Sequence, residues 1–192
     1  MIHLRIPPVL RMVCGLLLAL LGGAPSVQAQ AQAQALSEAQ IKAGFVYNFA
    51  RYIEWPAEAF FGKDATFVMC LVGRDTLGTP LDSFDGRTIH GHPVVVRRMG
   101  GASEDFRGCH VLFVSESEQR RAASIVRASQ AALLTVSDID GFIDMGGGIG
   151  LVNADERIQF EINLGALQRA SLKASSQLLK LARNSSSLRG KN

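Results

Sequence analysis

Charge of one sign, cysteine and long apolar runs are all scarce in this sequence of 192 residues. It has 20 basic and 17 acidic residues, and two of the basic ones, Arg5 and Arg11, fall in a segment that reads as a removable leader. What remains is 18 against 17, a net charge of +1, so the overall pI of about 9.0 gives no argument for a nucleic-acid surface or an anionic membrane face. No apolar stretch approaches the about 20 residues that span a bilayer, and the longest runs only from Met12 to Leu21. Three cysteines and four histidines are thin material for a metal centre. Aromatics make up 7% of the chain, and no internal repeat is visible.

Against these absences stands a hydrophobic fraction of 47%, enough for one ordinary core in one domain. Arg5 and Arg11 flank or precede the apolar run, and Gly22, Gly23, Pro25 and several small residues follow it. That layout is a secretory signal peptide, expected over 1–29 with cleavage after Val27-Gln28-Ala29, Ala33-Gln34-Ala35 being a second fit. Cys14 does not follow the run, where a lipid-accepting cysteine stands, so the mature chain is expected to be soluble and periplasmic. Removing Cys14 leaves Cys70 and Cys109 in a compartment where disulfides persist. They form one intramolecular bridge or remain two separately buried thiols.

The alternating Gln and Ala residues of 28–35 carry no core former, and 30–36 reads as a flexible lead-in. Ser37-Glu38-Ala39-Gln40 has the capping-box form, and Ile41, Phe45, Phe49 and Ile53 recur at helical spacing until Trp55-Pro56, predicting a first helix from Ser37 to Ile53. Phe45, Phe49 and Trp55 are expected in the core and as a lid over a sheet edge. Strands are predicted at 66–73, 92–99, 111–114 and 132–136, and a hairpin of 149–153 with 157–162. Asp75 is placed to cap a short helix holding Leu77, Leu81 and Phe84; Ser117 to Ser129 is predicted helical, and so is Leu164 to Arg183 with Asn163 as its cap. This predicts a compact three-layer α/β domain over 37–183, with a mixed, mainly parallel sheet of about six strands flanked by helices, and a disordered tail over 184–192.

Chemistry is harder to find. His90-Gly91-His92 offers two imidazoles but no third ligand, and reads as a solvated turn. His110 beside Cys109 would lower a free thiol's pKa, an argument that a bridge removes. Asp138-Ile139-Asp140-Gly141 with Asp144 lacks the remaining acidic positions of a calcium loop. Gly146-Gly147-Gly148-Ile149-Gly150 precedes a strand rather than opening a helix, so it lacks the helix terminus of a phosphate cradle. Val72-Gly73-Arg74-Asp75 sits between strand and helix, where open α/β sheets place ligands, and motivates one alternative: a periplasmic small-ligand-binding protein reporting to a membrane sensor kinase. Arg97-Arg98 and Arg120-Arg121 read as solvated faces. Nothing assembles a nucleophile with its base, and no cofactor is expected.

Seven segments in order resemble the YfiR-like family: IKAGFVYNFARYIEWP at 41–56, CLVG at 70–73, CHVLFVS at 109–115, LTVSD at 134–138, GGGI at 146–149, QFEINL at 159–164 and QLLKLA at 177–182. The resemblance implies a compact α/β fold and a non-enzymatic repressor that docks on the periplasmic domain of an inner-membrane diguanylate cyclase, lowering cyclic di-GMP and biofilm formation. It implies an outer-membrane peptidoglycan-binding lipoprotein that sequesters the repressor, a homodimer, and a disulfide between Cys70 and Cys109. The second bridge of some relatives has no counterpart, because 138–155 contains no cysteine. The family's partner surface maps onto Glu161, Leu164, Leu167 and Leu179; composition alone makes a leucine-rich helix more often core than interface.

Overall fold

The computed structural model describes residues 27–60, 62, 65–100, 105–129, 132–155 and 157–185, and the chain's contacts divide it into two units, 1–36 and 37–192. The signal-peptide assignment falls outside the described residues up to residue 26. Helix α1 spans Val27–Tyr52, so the segment read as a flexible lead-in is helical and Ser37 lies inside the helix instead of capping it. The reason is propensity: alanine and glutamine are good helix formers, and no Gly or Pro interrupts 27–36.

The second unit is built on a seven-stranded sheet of order β3-β4-β2-β5-β6-β7-β8. Its strands are β2 (Phe67–Val72), β3 (Thr88–Ile89), β4 (His92–Met99), β5 (Val111–Val114), β6 (Leu134–Ser137), β7 (Ile149–Ala154) and β8 (Arg157–Ile162). The five strands from β4 to β7 in that order run parallel, and antiparallel β3 and β8 close the two edges. The expected mixed, mainly parallel sheet is therefore present, with the two-residue β3 as the strand that periodicity could not show.

Both faces of the sheet are covered, which is why β2, β5 and β6 are buried along their whole length. Alternation sorts their side chains: Phe67, Met69, Leu71, Val111, Phe113, Leu134 and Val136 join one core with Phe49 and Val46 of α1. Val68, Cys70, Val72, Leu112 and Val114 join a second core with Ala122 and Ile125 of the helix Ala122–Ala128. We number that helix α3, after the short α2 (Gly78–Asp82). Asp75 Oδ1 accepts from the N–H groups of Leu77 and Gly78 at 3.0 and 2.8 Å, so it does hold the start of α2. The segment Ser117–Ser129 is split, with a 3-10 turn at Glu116–Glu118 ahead of α3.

The predicted final helix is also broken. It resolves into α4 (Leu164–Arg169), a two-residue strand β9 (Lys173–Ala174) and α5 (Ser176–Leu181). β9 pairs antiparallel with β1 (Ile53–Glu54), Ser175 N–H donates to Tyr52 O, and Leu172 between α4 and β9 is fully buried. Ser171 takes a positive φ of 59° at the break, and Ser175 restarts the helix by accepting from Leu178 N–H. Pairing β1 and burying Leu172 outweigh the few backbone bonds that a continuous helix would add, and the serines at 171, 175 and 176 are poor helix formers that make the break cheap.

Candidate partner-binding surface

β8 is an edge strand, a position that presents unpaired main-chain groups. The chain leaving α5 covers it. Arg183 N–H donates to Phe160 O at 2.8 Å, and the Asn184 amide pairs with both main-chain groups of Ile162, accepting from its N–H at 3.1 Å and donating to its carbonyl at 2.9 Å. Asn184, assigned by composition to the tail, is thus held against the sheet; residues 186–192 lie outside the described part. Beside this seam the Arg183 guanidinium meets Glu161 Oε1 at 3.0 Å, both side chains partly exposed.

Asn163 ends β8 and starts α4. Its Oδ1 caps the helix by accepting from Ala166 N–H at 3.0 Å, its Nδ2 donates to Ile143 O at 2.8 Å, and its own N–H donates to Gly148 O at 2.9 Å. One residue, through its side chain and its own N–H, therefore ties the start of α4 to Ile143 and to the glycine-rich loop. A side chain at position 148 would crowd the site, since a Cβ would lie 3.0 Å from Thr135 O and 3.3 Å from Leu167 Cδ2.

The four residues mapped to the partner surface separate under this geometry. Leu167 is 2% exposed and belongs to the core beneath α4. Leu164 and Leu179 are half-buried and pack on that core with part of each side chain outward, and Glu161 stands on β8. Leu181, which helical spacing groups with Leu178, is 71% exposed whereas Leu178 is 3% exposed. Only the tertiary position of α5 distinguishes them.

The sheet behind this surface is pinned by the Cys70–Cys109 disulfide, which joins β2 to the residue two positions before β5 with a Cα separation of 5.8 Å. It lies in the second core, with Phe106 and Met99 nearby. Next to it His110 is 7% exposed and stacked against Phe60 and Phe67. Its Nδ1 accepts from Val68 N–H at 3.0 Å and its Nε2 donates to Ala59 O at 2.9 Å, so the ring is neutral. Burial pushes its pKa below the ordinary 6.5, the Ala59 carbonyl opposes this, and His92 adds to the depression. His110 bridges strands; it activates no thiol.

Other sequence candidates resolve to structural roles. His90 and Gly91 take positive φ in the turn between β3 and β4, and His90 Nε2 lies 3.1 Å from the carbonyls of Ala50 and Ile53. His92 Nδ1 lies 2.8 Å from Ala65 O. Among the described residues, no three His, Cys, Asp or Glu side chains are placed to hold a metal ion. Arg98 bridges Asp75 and Asp82 and so ties β4 to α2, more than a solvated face. Gly73 follows β2, and Arg74 after it lines, with Ser115 and Ser117 from the chain just after β5, an open polar recess of about 300 Å³. Its Ser117 hydroxyl already accepts from Arg74 N–H at 2.8 Å. Phe49 and Trp55 pack on the first core as expected, with Phe45 stacked on Phe49.

No curated protein matches the chain. A family profile described as YfiR/HmsC-like matches residues 39–183, the whole of the α/β domain and most of the chain. The protein belongs to the YfiR/HmsC-like family.

Proposed function

We propose that the protein is an exported, non-catalytic repressor that binds the periplasmic domain of an inner-membrane diguanylate cyclase, lowering cyclic di-GMP synthesis and biofilm formation. The observation that carries this reading is the family match over 39–183. The leader-like start of the sequence supports export, and no helix among the described residues is long and apolar enough to cross a membrane. The cyclase docks on the face formed by β8, α4 and α5, with Leu164 and Leu179 as apolar anchors and Glu161 at the polar rim. Partly exposed leucines beside a covered sheet edge suit that role, because interface energy concentrates in a few anchors ringed by polar contacts. The reading includes a homodimer and release through sequestration by an outer-membrane peptidoglycan-binding lipoprotein.

Deleting the gene in its host, with the partner cyclase expressed, should raise cellular cyclic di-GMP, and restoring the wild-type gene should lower it again. Unchanged nucleotide levels would sink the reading.

A further inference from the structure

A cleft of about 350 Å³ opens between the end of α3, the start of β6, the glycine-rich loop and α4. That volume falls in the range of small-molecule sites, about 300 to 1,000 Å³. Val126, Leu133, Met145 and Leu167 give it an apolar lining, and Arg127 and Arg169 give it two cations. Part of the wall is bare backbone at Gly146, whose φ of +97° suits glycine, and at Gly148. Thr135 also lines the cleft, but its hydroxyl is occupied, accepting from Gly148 N–H at 2.9 Å.

The charges are the informative part. Arg98, Arg107, Arg121 and Arg183 each have a carboxylate within ion-pair distance. Arg127 and Arg169 have no carboxylate partner among the described residues, and neither do the exposed Arg51, Arg74, Arg87, Arg97, Arg120 and Arg157; what sets Arg127 and Arg169 apart is that they line one cleft. Each stands in the last turn of a short helix, where a cation is favourable whatever it faces. That placement explains one arginine at each helix end. It does not explain why two unneutralised guanidiniums from separate helices line one cleft with an apolar floor. Guanidinium groups engage carboxylates through paired hydrogen bonds, and the floor asks for a body without polar groups. We infer that the cleft binds a small organic carboxylate with an apolar body, the carboxylate held by Arg127 and Arg169 and the body resting on Val126, Leu133, Met145 and Leu167. An inorganic anion would leave the floor unused, and a neutral apolar molecule would leave the arginines unused.

The cleft shares α4 with the proposed cyclase surface. Its test needs only the purified mature chain, so it stands or falls apart from the repressor reading. Titration calorimetry would use hexanoate and phenylacetate as probes, with hexanamide, phenylacetamide and inorganic phosphate as comparisons. Saturable binding of at least one carboxylate is expected, with its amide and phosphate at least tenfold weaker. Arg127→Gln and Arg169→Gln should each weaken binding about tenfold or more, and the double variant should abolish it. Circular dichroism should stay unchanged and Tm should fall by no more than a few degrees, because both side chains are exposed and unpaired and each variant loses only a favourable charge at a helix end. The proposal is overturned if neither carboxylate binds saturably at millimolar concentration, if an amide or phosphate binds as tightly, or if the folded double variant retains binding.

Discussion

Lys42 on α1 and Asp138, the residue after β6, meet in an ion pair of 2.8 Å across 96 positions of sequence. The Asp138 side chain is 7% exposed, and its other oxygen has no hydrogen-bond partner. Lys42 also reaches Glu38 one helical turn back, at 2.7 Å. Burial pulls the Lys42 ammonium down, but its bonds to Asp138 and Glu38 more than offset this and hold it above its ordinary pKa. The pair fixes α1 against the sheet at the point where the chain leaves β6.

Removing Lys42 should strand a buried carboxylate. Lys42→Met is expected to lower unfolding free energy by about 3 kcal/mol, the range for breaking a buried pair from one side. The double variant Lys42→Met, Asp138→Asn should recover most of that loss, since no charge is then left without a partner. Urea unfolding of the three proteins measures the difference, and equal losses in the single and double variants would contradict the assignment.

The disulfide closes a loop of sequence separation 39, worth about 4 kcal/mol in the chain-entropy picture. Cys70→Ser or Cys109→Ser should cost about 2 to 5 kcal/mol and reduce periplasmic abundance, with repression lost in proportion to the protein. Thiol labelling of the mature protein, denatured without reductant, should find no reactive thiol, and two should appear after reduction.

His110 should make stability depend on pH in one direction. Its folded pKa lies below the unfolded value near 6.5, so the native state binds fewer protons than the unfolded chain. Stability is therefore complete above pH 6.5 and falls as pH drops from there towards the folded pKa, by at most about 1.4 kcal/mol per pH unit. Protonating Nδ1 would also put a proton where Val68 N–H now donates. Denaturation midpoints between pH 7.5 and pH 5, with NMR titration of the His110 ring, test this. A ring titrating at or above 6.5 would contradict it.

The leucines should divide by burial. Leu167→Ala is expected to cost about 2 to 5 kcal/mol, as for other buried leucines. Leu164→Gln and Leu179→Gln should cost about 1 kcal/mol yet weaken capture of the cyclase's periplasmic domain at least tenfold. Capture and Tm measured on the same preparations separate a docking role from a packing role, and full capture by both Gln variants would remove these leucines from the interface.

Much of the fold was legible because the chain alternates strongly patterned segments with punctuation. The runs at β2, β4, β5 and the β7–β8 hairpin carry β-branched and apolar residues between polar or glycine-containing stretches, and local pattern suffices to locate them. Asn163 and Asp75 were readable as caps, since capping depends on the few residues that follow. Local chemistry could not foresee that Asn163 also clamps the glycine-rich loop, because Ile143 and Gly148 come near it only through the β6–β7 and β7–β8 pairings.

The end of α1 was legible to within one residue from Trp55-Pro56, but where the last helix breaks and which of its apolar residues face outward were decided by tertiary structure. The chain from Leu164 to Arg183 has one continuous helical pattern, yet Ala170 to Ser175 leave the helix to pair β9 with β1 and bury Leu172, contacts to residues more than a hundred positions away. Conversely, the Gln/Ala stretch reads as linker by its lack of core residues and is helical because helix formation there requires only backbone bonds and good propensity. Leu178 and Leu181, and Arg98 and Arg127, are indistinguishable as residue types. Burial and ion pairing are properties of neighbours, and the neighbours are set by the order in which the sheet assembles its strands.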